Sequence, residues 1–318
     1  MSAGDWCLIE SDPGVFSELI KKFGVTGIQV EELWSLDEEN FTNLRPVHGL
    51  IFLFKWKTDV HRDGKVVTDG SADHIYFAKQ VINNACASQA IINILANVEH
   101  KDVSLGSTLT ELRDFTMSFD PQMKGLSISN SENIREVHNS FSRQQLFELD
   151  EKSSKPDDDV FHFVGYLPVN GRLYELDGLQ EGPIDHGAIP EKGDWLSVAK
   201  PVIEQRIGRY AADEIHFNLM ALVSDRLVQA ERKIELLKQA GMDESSEEVK
   251  DLRDSIKTEK MKREKSKVEN VRRRHNYLPF IVELLKTLAS QGKLVDLVSE
   301  AKDKTVERQK AKKRKVAV

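Results

Sequence analysis

The sequence predicts an α+β fold followed by an all-α extension, on three observations. Residues 49–56 and 160–169 are short apolar runs, and the second is followed by Asn170-Gly171 and a further run over 172–178. Such runs read as strands, and Asn-Gly between two of them is the strongest short-range sign of an antiparallel hairpin. Between these runs, apolar residues recur three and four apart, as one buried helical face requires. After Ser224 the chain becomes long, highly charged and helical in spacing.

In chain order, residues 5–10 read as a short strand, and Ser11-Asp12-Pro13 as a helix start with proline in the first turn. Phe16, Leu19, Ile20 and Phe23 give that helix its apolar face, ended by Gly24. A helical or turn segment is expected around Glu31 to Leu36. Residues 49–56 are apolar on both faces, as a central strand should be, while 58–73, with Gly64 and Gly70, read as an exposed loop. A helix is expected from Asn84 onward, with Asn83 and Asn84 as caps and Ala90, Ile91, Ile94, Leu95 and Val98 on one side. Further helices are expected over about 109–117 and 129–147, the latter placing Ile134, Val137 and Phe141 together. Residues 148–159 are polar and aperiodic, a loop placed to gate a site near the strand at 160–169.

The totals bound the function. With 318 residues, 40% of them hydrophobic, there is material for a real core and two units, set at 1–226 and 227–318. Two cysteines exclude a disulfide scaffold and suit a reducing compartment. The start, Met1-Ser2-Ala3-Gly4-Asp5-Trp6, has neither the basic region nor the apolar core of a secretory leader. No apolar run approaches a membrane span, so a soluble intracellular protein is expected. The net charge of -7 hides a division: residues 226–318 carry 25 Lys and Arg against 16 Asp and Glu, and the first 225 carry 20 against 36. Two units with different partners, the first repelling nucleic acid, account for this; so does charge that simply follows solvated helix faces.

Cys86 sits at the mouth of the expected helix, where the positive end of the dipole favours thiolate over thiol. Gln80, six residues upstream, adds a neutral amide donor. A lone cysteine also reads as a small buried hydrophobe, so the decision rests on whether a base and an acid exist elsewhere. If Asn170 and Gly171 are the two loop residues, strand partners sum to 341, and His162 faces Leu179 while Val164 faces Asp177. His162 and Asp177 are then diagonal neighbours on one face, roughly 7–8 Å apart. Glu175 shares that face one pair nearer the turn, which makes Asp177 the better acid partner. His162 alone reads as a core histidine satisfied by a carbonyl. With cysteine, histidine and aspartate all in suitable settings, a thiol hydrolase is the better reading. His186 is the runner-up base, His74, His138 and His216 lack comparable neighbours, and Cys7 reads as a packed strand residue.

In the tail, Val223, Leu227, Ala230, Ile234 and Leu237 alternate four and three apart, a heptad seam that stops at Gly241. A second charged helix from about Ser246 to Arg274 has a thin apolar stripe and needs a partner or the preceding helix. A third segment carries Leu278, Ile281, Leu284, Leu285, Leu288, Leu294 and Leu297 as an amphipathic pair. The cluster Lys312-Lys313-Arg314-Lys315 fits a nuclear import signal or a solvated tail.

Gln80 with Asn83-Asn84-Ala85-Cys86, Phe161-His162-Phe163 and the run 171–178 resemble, in the right order, the papain-like ubiquitin carboxyl-terminal hydrolases. Residues 10–16, 45–50, 213–220 and 272–281 extend the likeness to the family's long, proteasome-associated branch. Ala87-Ser88 departs from the glycine and threonine of many relatives. The resemblance implies an antiparallel sheet flanked by helices, with a knotted backbone. It implies Cys86 as nucleophile, His162 as general base and acid, Asp177 as the residue orienting the imidazole, and Gln80 with the Cys86 N–H as oxyanion donors. The implied reaction is hydrolysis after the C-terminal glycine of ubiquitin, with no cofactor, and with 148–159 as a crossover loop limiting leaving-group size. Implied partners are ubiquitin, whose basic C-terminal peptide suits an acidic domain, a proteasome regulatory-particle ubiquitin receptor docked on the C-terminal helices, and a nuclear chromatin-remodelling complex. The expected location is cytoplasm and nucleus. The alternative function is a non-catalytic ubiquitin-binding adaptor.

Overall fold

The computed structural model describes residues 6–55, 64–82, 84–142, 161–210 and 217–316. Strands β1 (Ile28–Glu32), β2 (Val47–Lys55), β3 (Lys65–Val66), β4 (Phe161–Val169), β5 (Arg172–Leu176), β6 (Ile184–Ala188) and β7 (Phe217–Ser224) form one sheet. Its order is β1-β7-β2-β4-β5-β6-β3, every neighbouring pair antiparallel. The apolar run that predicted a central strand is β2, bonded to β7 on one side and β4 on the other.

Because β2 is apolar on both faces, the sheet has a core on each side. Ile51 packs with Phe16, Leu19 and Ile20 of α1 (Pro13–Lys22) and Ile91 and Ile94 of α3 (Cys86–Leu95). Leu50, Phe52 and Phe54 point the other way, against Trp195, Leu196, Ala199 and Ile203 of α7 (Trp195–Tyr210). Helices α2 (Glu38–Thr42), α4 (Gly106–Thr116), α5 (Pro121–Asn130) and α6 (Glu132–Asn139) complete this part of the chain. Two glycines let α3 lie close to the strands. A Cβ on Gly49 would sit 2.6 Å from Ile94 Cγ2, and one on Gly165 would sit 2.8 Å from Ile94 Cγ1.

The hairpin forms as its turn chemistry dictates. Asn170 and Gly171 both adopt positive φ, 46° and 74°, the conformation of a two-residue primed turn. The ladder runs from Val169↔Arg172 to Gly165↔Leu176, the expected register. It ends there, so Asp177 and Leu179 lie in the turn beyond β5 rather than opposite β4.

Other expectations need correction. Residues 6–10 form no strand, because Trp6 is drawn into the α1/α3 core and Cys7 is left exposed. The segment from Glu31 begins as strand, since β1 pairs with β7 through Glu32. The helix expected over 129–147 is two, broken at Ser131, whose hydroxyl caps α6 by accepting from the Ile134 N–H; residues 143–147 lie outside the described residues. In the expected loop 58–73, residues 58–63 lie outside the described residues and Lys65–Val66 forms β3 against β6. Val223 is a β7 residue, so the tail seam begins at Leu227, on α8 (Arg226–Gln239), which Asp225 caps.

Helix α9 (Glu247–Arg274) has the thin apolar stripe expected, and polar contacts hold it instead. Arg263 bonds Asp225 at 2.7 Å and Gln29 at 2.8 Å, and Lys262 pairs with Glu31. Asn270 bonds the Gly14 carbonyl and Glu18, and Arg273 bonds Asp12 at 2.8 Å. These contacts explain why the chain divides into compact units at 273/274, beyond the change of composition at 226/227. The second unit holds α10 (Leu278–Ser290) and α11 (Leu294–Val316), with Phe280, Ile281, Leu284, Leu285, Val295, Leu297 and Val298 exposed.

Candidate functional site

The site is assembled from the N-terminus of α3, the outer end of β4 and the turn after β5. Cys86 is the first residue of α3, behind Ala85, and no side chain caps the helix. Asn84 takes a positive φ of 67° and donates its amide to the Trp6 carbonyl, so it anchors the N-terminal segment rather than capping; Asn83 lies outside the described residues. The helix-start N–H groups are thereby left to other acceptors.

His162 Nε2 lies 2.7 Å from Asp177 Oδ1, with His162 3% and Asp177 0% exposed. A carboxylate only accepts, so the imidazole donates from Nε2 and its Nδ1 is the basic nitrogen. The Leu179 N–H at 3.0 Å and the Gln180 amide also donate to Asp177, which holds the carboxylate in place. The diagonal relation read from the register is therefore realised as direct contact, because Asp177 leaves the ladder and turns toward the imidazole.

Cys86 is brought to the same place through the backbone. Burial pushes its thiol pKa up, and hydrogen bonds from the N–H groups of Ala87, Cys86 and Phe163 pull it down by less. The Phe163 contact sets the sulfur beside the residue that follows His162. The net direction is opposite to that expected from the helix dipole alone: desolvation of a half-buried sulfur outweighs the dipole. Gln80 completes the group. Its N–H donates to the Gly178 carbonyl at 2.7 Å, next to Asp177, and its side-chain amide donates to the Ile82 carbonyl at 3.1 Å.

Sequence reasoning missed two features. His186, the runner-up base, is paired instead with Glu175, 3.0 Å from Oε2, and so lies in a second buried carboxylate–imidazole couple. His138 does have neighbours: its Nε2 donates to the Cys7 carbonyl at 2.7 Å, and its Nδ1 accepts from Ser88 at 2.8 Å, below Trp6. Burial holds the His138 pKa down, in keeping with that neutral ring. Glu175 lies 11 residues from His186, and the His138 partners lie 50 and 131 residues away, so no local spacing announces them. Among the described residues no cluster of metal-ligating side chains occurs, and no helix is long and apolar enough to cross a membrane. The expected gating loop, 148–159, lies outside the described residues, as does His216.

With this geometry in place, comparison with known proteins is specific. The family described as "Ubiquitin carboxyl-terminal hydrolase, family 1" matches residues 6–208, and a second pattern, "Ubiquitin carboxyl-terminal hydrolases", matches 249–294. The chain is 50% identical over 311 residues to ubiquitin carboxyl-terminal hydrolase ubh-4 of Caenorhabditis elegans, covering 97% of this chain and 95% of that protein. It is 39% identical over 345 residues to isozyme L5 of Dictyostelium discoideum, covering 97% and 98%. A crystal structure of Trichinella spiralis UCH37 bound to ubiquitin vinyl methyl ester matches with a TM-score of 0.69 and 47% identity, covering 83% of this chain and all of that one.

The raised thiol pKa has a direct consequence. In a Cys7→Ser background, alkylation of Cys86 by iodoacetamide should climb with pH along a curve displaced upward from that of a free cysteine peptide. A curve levelling off below the free-peptide midpoint would show that the resting thiol is already ionised.

Proposed function

The chain belongs to the ubiquitin carboxyl-terminal hydrolases of family 1, thiol-dependent deubiquitinating enzymes, and on that premise we propose that Cys86, His162, Asp177 and Gln80 carry the reaction. The observation that carries this reading is the buried 2.7 Å contact of His162 with Asp177, together with a Cys86 thiol bonded to the next peptide N–H. His162 Nδ1 takes the thiol proton, and the sulfur attacks the carbonyl carbon of ubiquitin's C-terminal glycine. The oxyanion is held by the Cys86 N–H and by the Gln80 amide, which exchanges its Ile82 partner for it. His162 returns the proton to the leaving amine as the C–N bond breaks. Water, deprotonated by His162, then cleaves the thioester, and the thiol is regenerated. Since burial favours the neutral thiol, proton transfer belongs to the step in which substrate is engaged.

Ubiquitin is the substrate and partner in this reading, supported by the ubiquitin-bound structural relative and by the acidic first 225 residues. The loop 148–159 gates leaving-group size, and the exposed apolar faces of α10 and α11 dock a ubiquitin-receptor subunit of the proteasome regulatory particle. A nuclear chromatin-remodelling complex is a further partner, with the protein in cytoplasm and nucleus.

Cys86→Ala should abolish cleavage of ubiquitin carrying a C-terminal fluorogenic amide, and Asp177→Asn should lower kcat by roughly 10²–10⁴-fold. Full activity in Cys86→Ala would end this account. Ile281→Asp in the full chain should abolish co-sedimentation with purified regulatory particles; undiminished binding would remove the docking assignment.

A further inference from the structure

Arg206, on α7, carries a guanidinium whose side chain is only 11% exposed. It donates to Tyr166 Oη at 2.7 Å and pairs with Glu175, whose other oxygen takes the hydrogen bond from His186. The same guanidinium lies over the Phe54 ring, 4.3 Å from its centroid. Phe54 is the β2 partner of His162 in the ladder, and the two rings meet edge to face at 5.8 Å and 85°. Glu175, on β5, precedes Asp177 by two residues, so whatever fixes its carboxylate fixes the end of the strand from which the chain turns to deliver Asp177.

We propose that Arg206 is a positioning residue for the His162–Asp177 couple, acting on the imidazole through Phe54 and on the carboxylate through Glu175. The proposal rests on the assignment of His162 as the base. An ion pair this deeply buried adds little net stability over apolar side chains of the same volume, because desolvation offsets its Coulomb attraction. A planar guanidinium bonded to Tyr166 and Glu175 and stacked over Phe54 does supply fixed geometry, and it supplies it here to both members of the couple. An imidazole that must take a thiol proton from Nδ1 while donating from Nε2 tolerates little rotation, and Phe54 is the aromatic wall against which it would turn.

The test is a double-mutant cycle on the full chain with Arg206→Met, Phe54→Leu and the pair, using ubiquitin with a C-terminal fluorogenic amide. Rates are taken per folded protein, as counted by thermal unfolding. Each single change should lower kcat at least tenfold with KM within twofold, and the pair should fall no more than twofold below the worse single variant. Additive losses, or a kcat less than tenfold below native in folded Arg206→Met, would overturn the proposal and leave Arg206 a structural ion pair. If Arg206→Met does not fold, Arg206→Lys replaces it in the cycle. It keeps the charge for Glu175 but not the flat group over Phe54, and a kcat loss of threefold or more, non-additive with Phe54→Leu, supports the proposal while a smaller loss overturns it. His162→Gln, measured alongside, separates the two claims. An active His162→Gln would refute the base assignment and this proposal with it, whereas an inactive His162→Gln beside native-like Arg206 variants would refute the positioning role alone.

Discussion

The register of the β4–β5 hairpin is the constraint on which the site depends. Two residues at positive φ, Asn170 and Gly171, pin Val169 opposite Arg172 and therefore His162 on the face that Asp177 reaches. A slip of one residue would turn His162 to the other face of the sheet and strand it among the side chains under α3. The second requirement is steric. Gly49 and Gly165 leave room for Ile94, so α3 settles on β2 and β4 at a depth where Cys86 bonds the Phe163 N–H. Hairpin and helix thus meet at one point, though they are distant in sequence.

That point was legible because its determinants are local. Asn-Gly is a turn by virtue of its own backbone preferences, and the count from it reaches His162 and Asp177 without tertiary information. What the count could not supply is that the ladder stops at Leu176, which replaces a diagonal separation with a hydrogen bond. Cap preference predicts the start of α3 near Asn84, but the Asn84 side chain is taken by the Trp6 carbonyl, and the helix opens at Cys86.

Several elements are hard to read from the sequence because their polar residues are covered by distant parts of the chain. β1 reads Ile-Gln-Val-Glu-Glu, and its burial cannot be guessed from composition, because Gln29 and Glu31 are covered by Arg263 and Lys262 of α9. Residues 183–186 look turn-rich, yet Ile184–Ala188 is a strand whose His186 is matched by Glu175, itself held by Arg206 of α7. α7 carries Pro201 within it and a buried arginine, both signals against a buried helix when read alone. Buried charge in this protein is satisfied across the sequence, and single-segment periodicity is blind to it.

The exposed apolar faces of α10 and α11 and the polar seating of α9 divide the C-terminal region into a part bound to the catalytic unit and a part with exposed apolar surface. The proposed chemistry needs one thiol, activated by one imidazole–carboxylate couple. The most direct measurement is peptide mapping of the adduct formed with ubiquitin vinyl methyl ester in the native chain and in His162→Ala. A single adduct on the peptide bearing Cys86, strongly slowed in His162→Ala, is the expected result. An adduct on Cys7, or labelling of Cys86 that is indifferent to the loss of His162, would contradict the account.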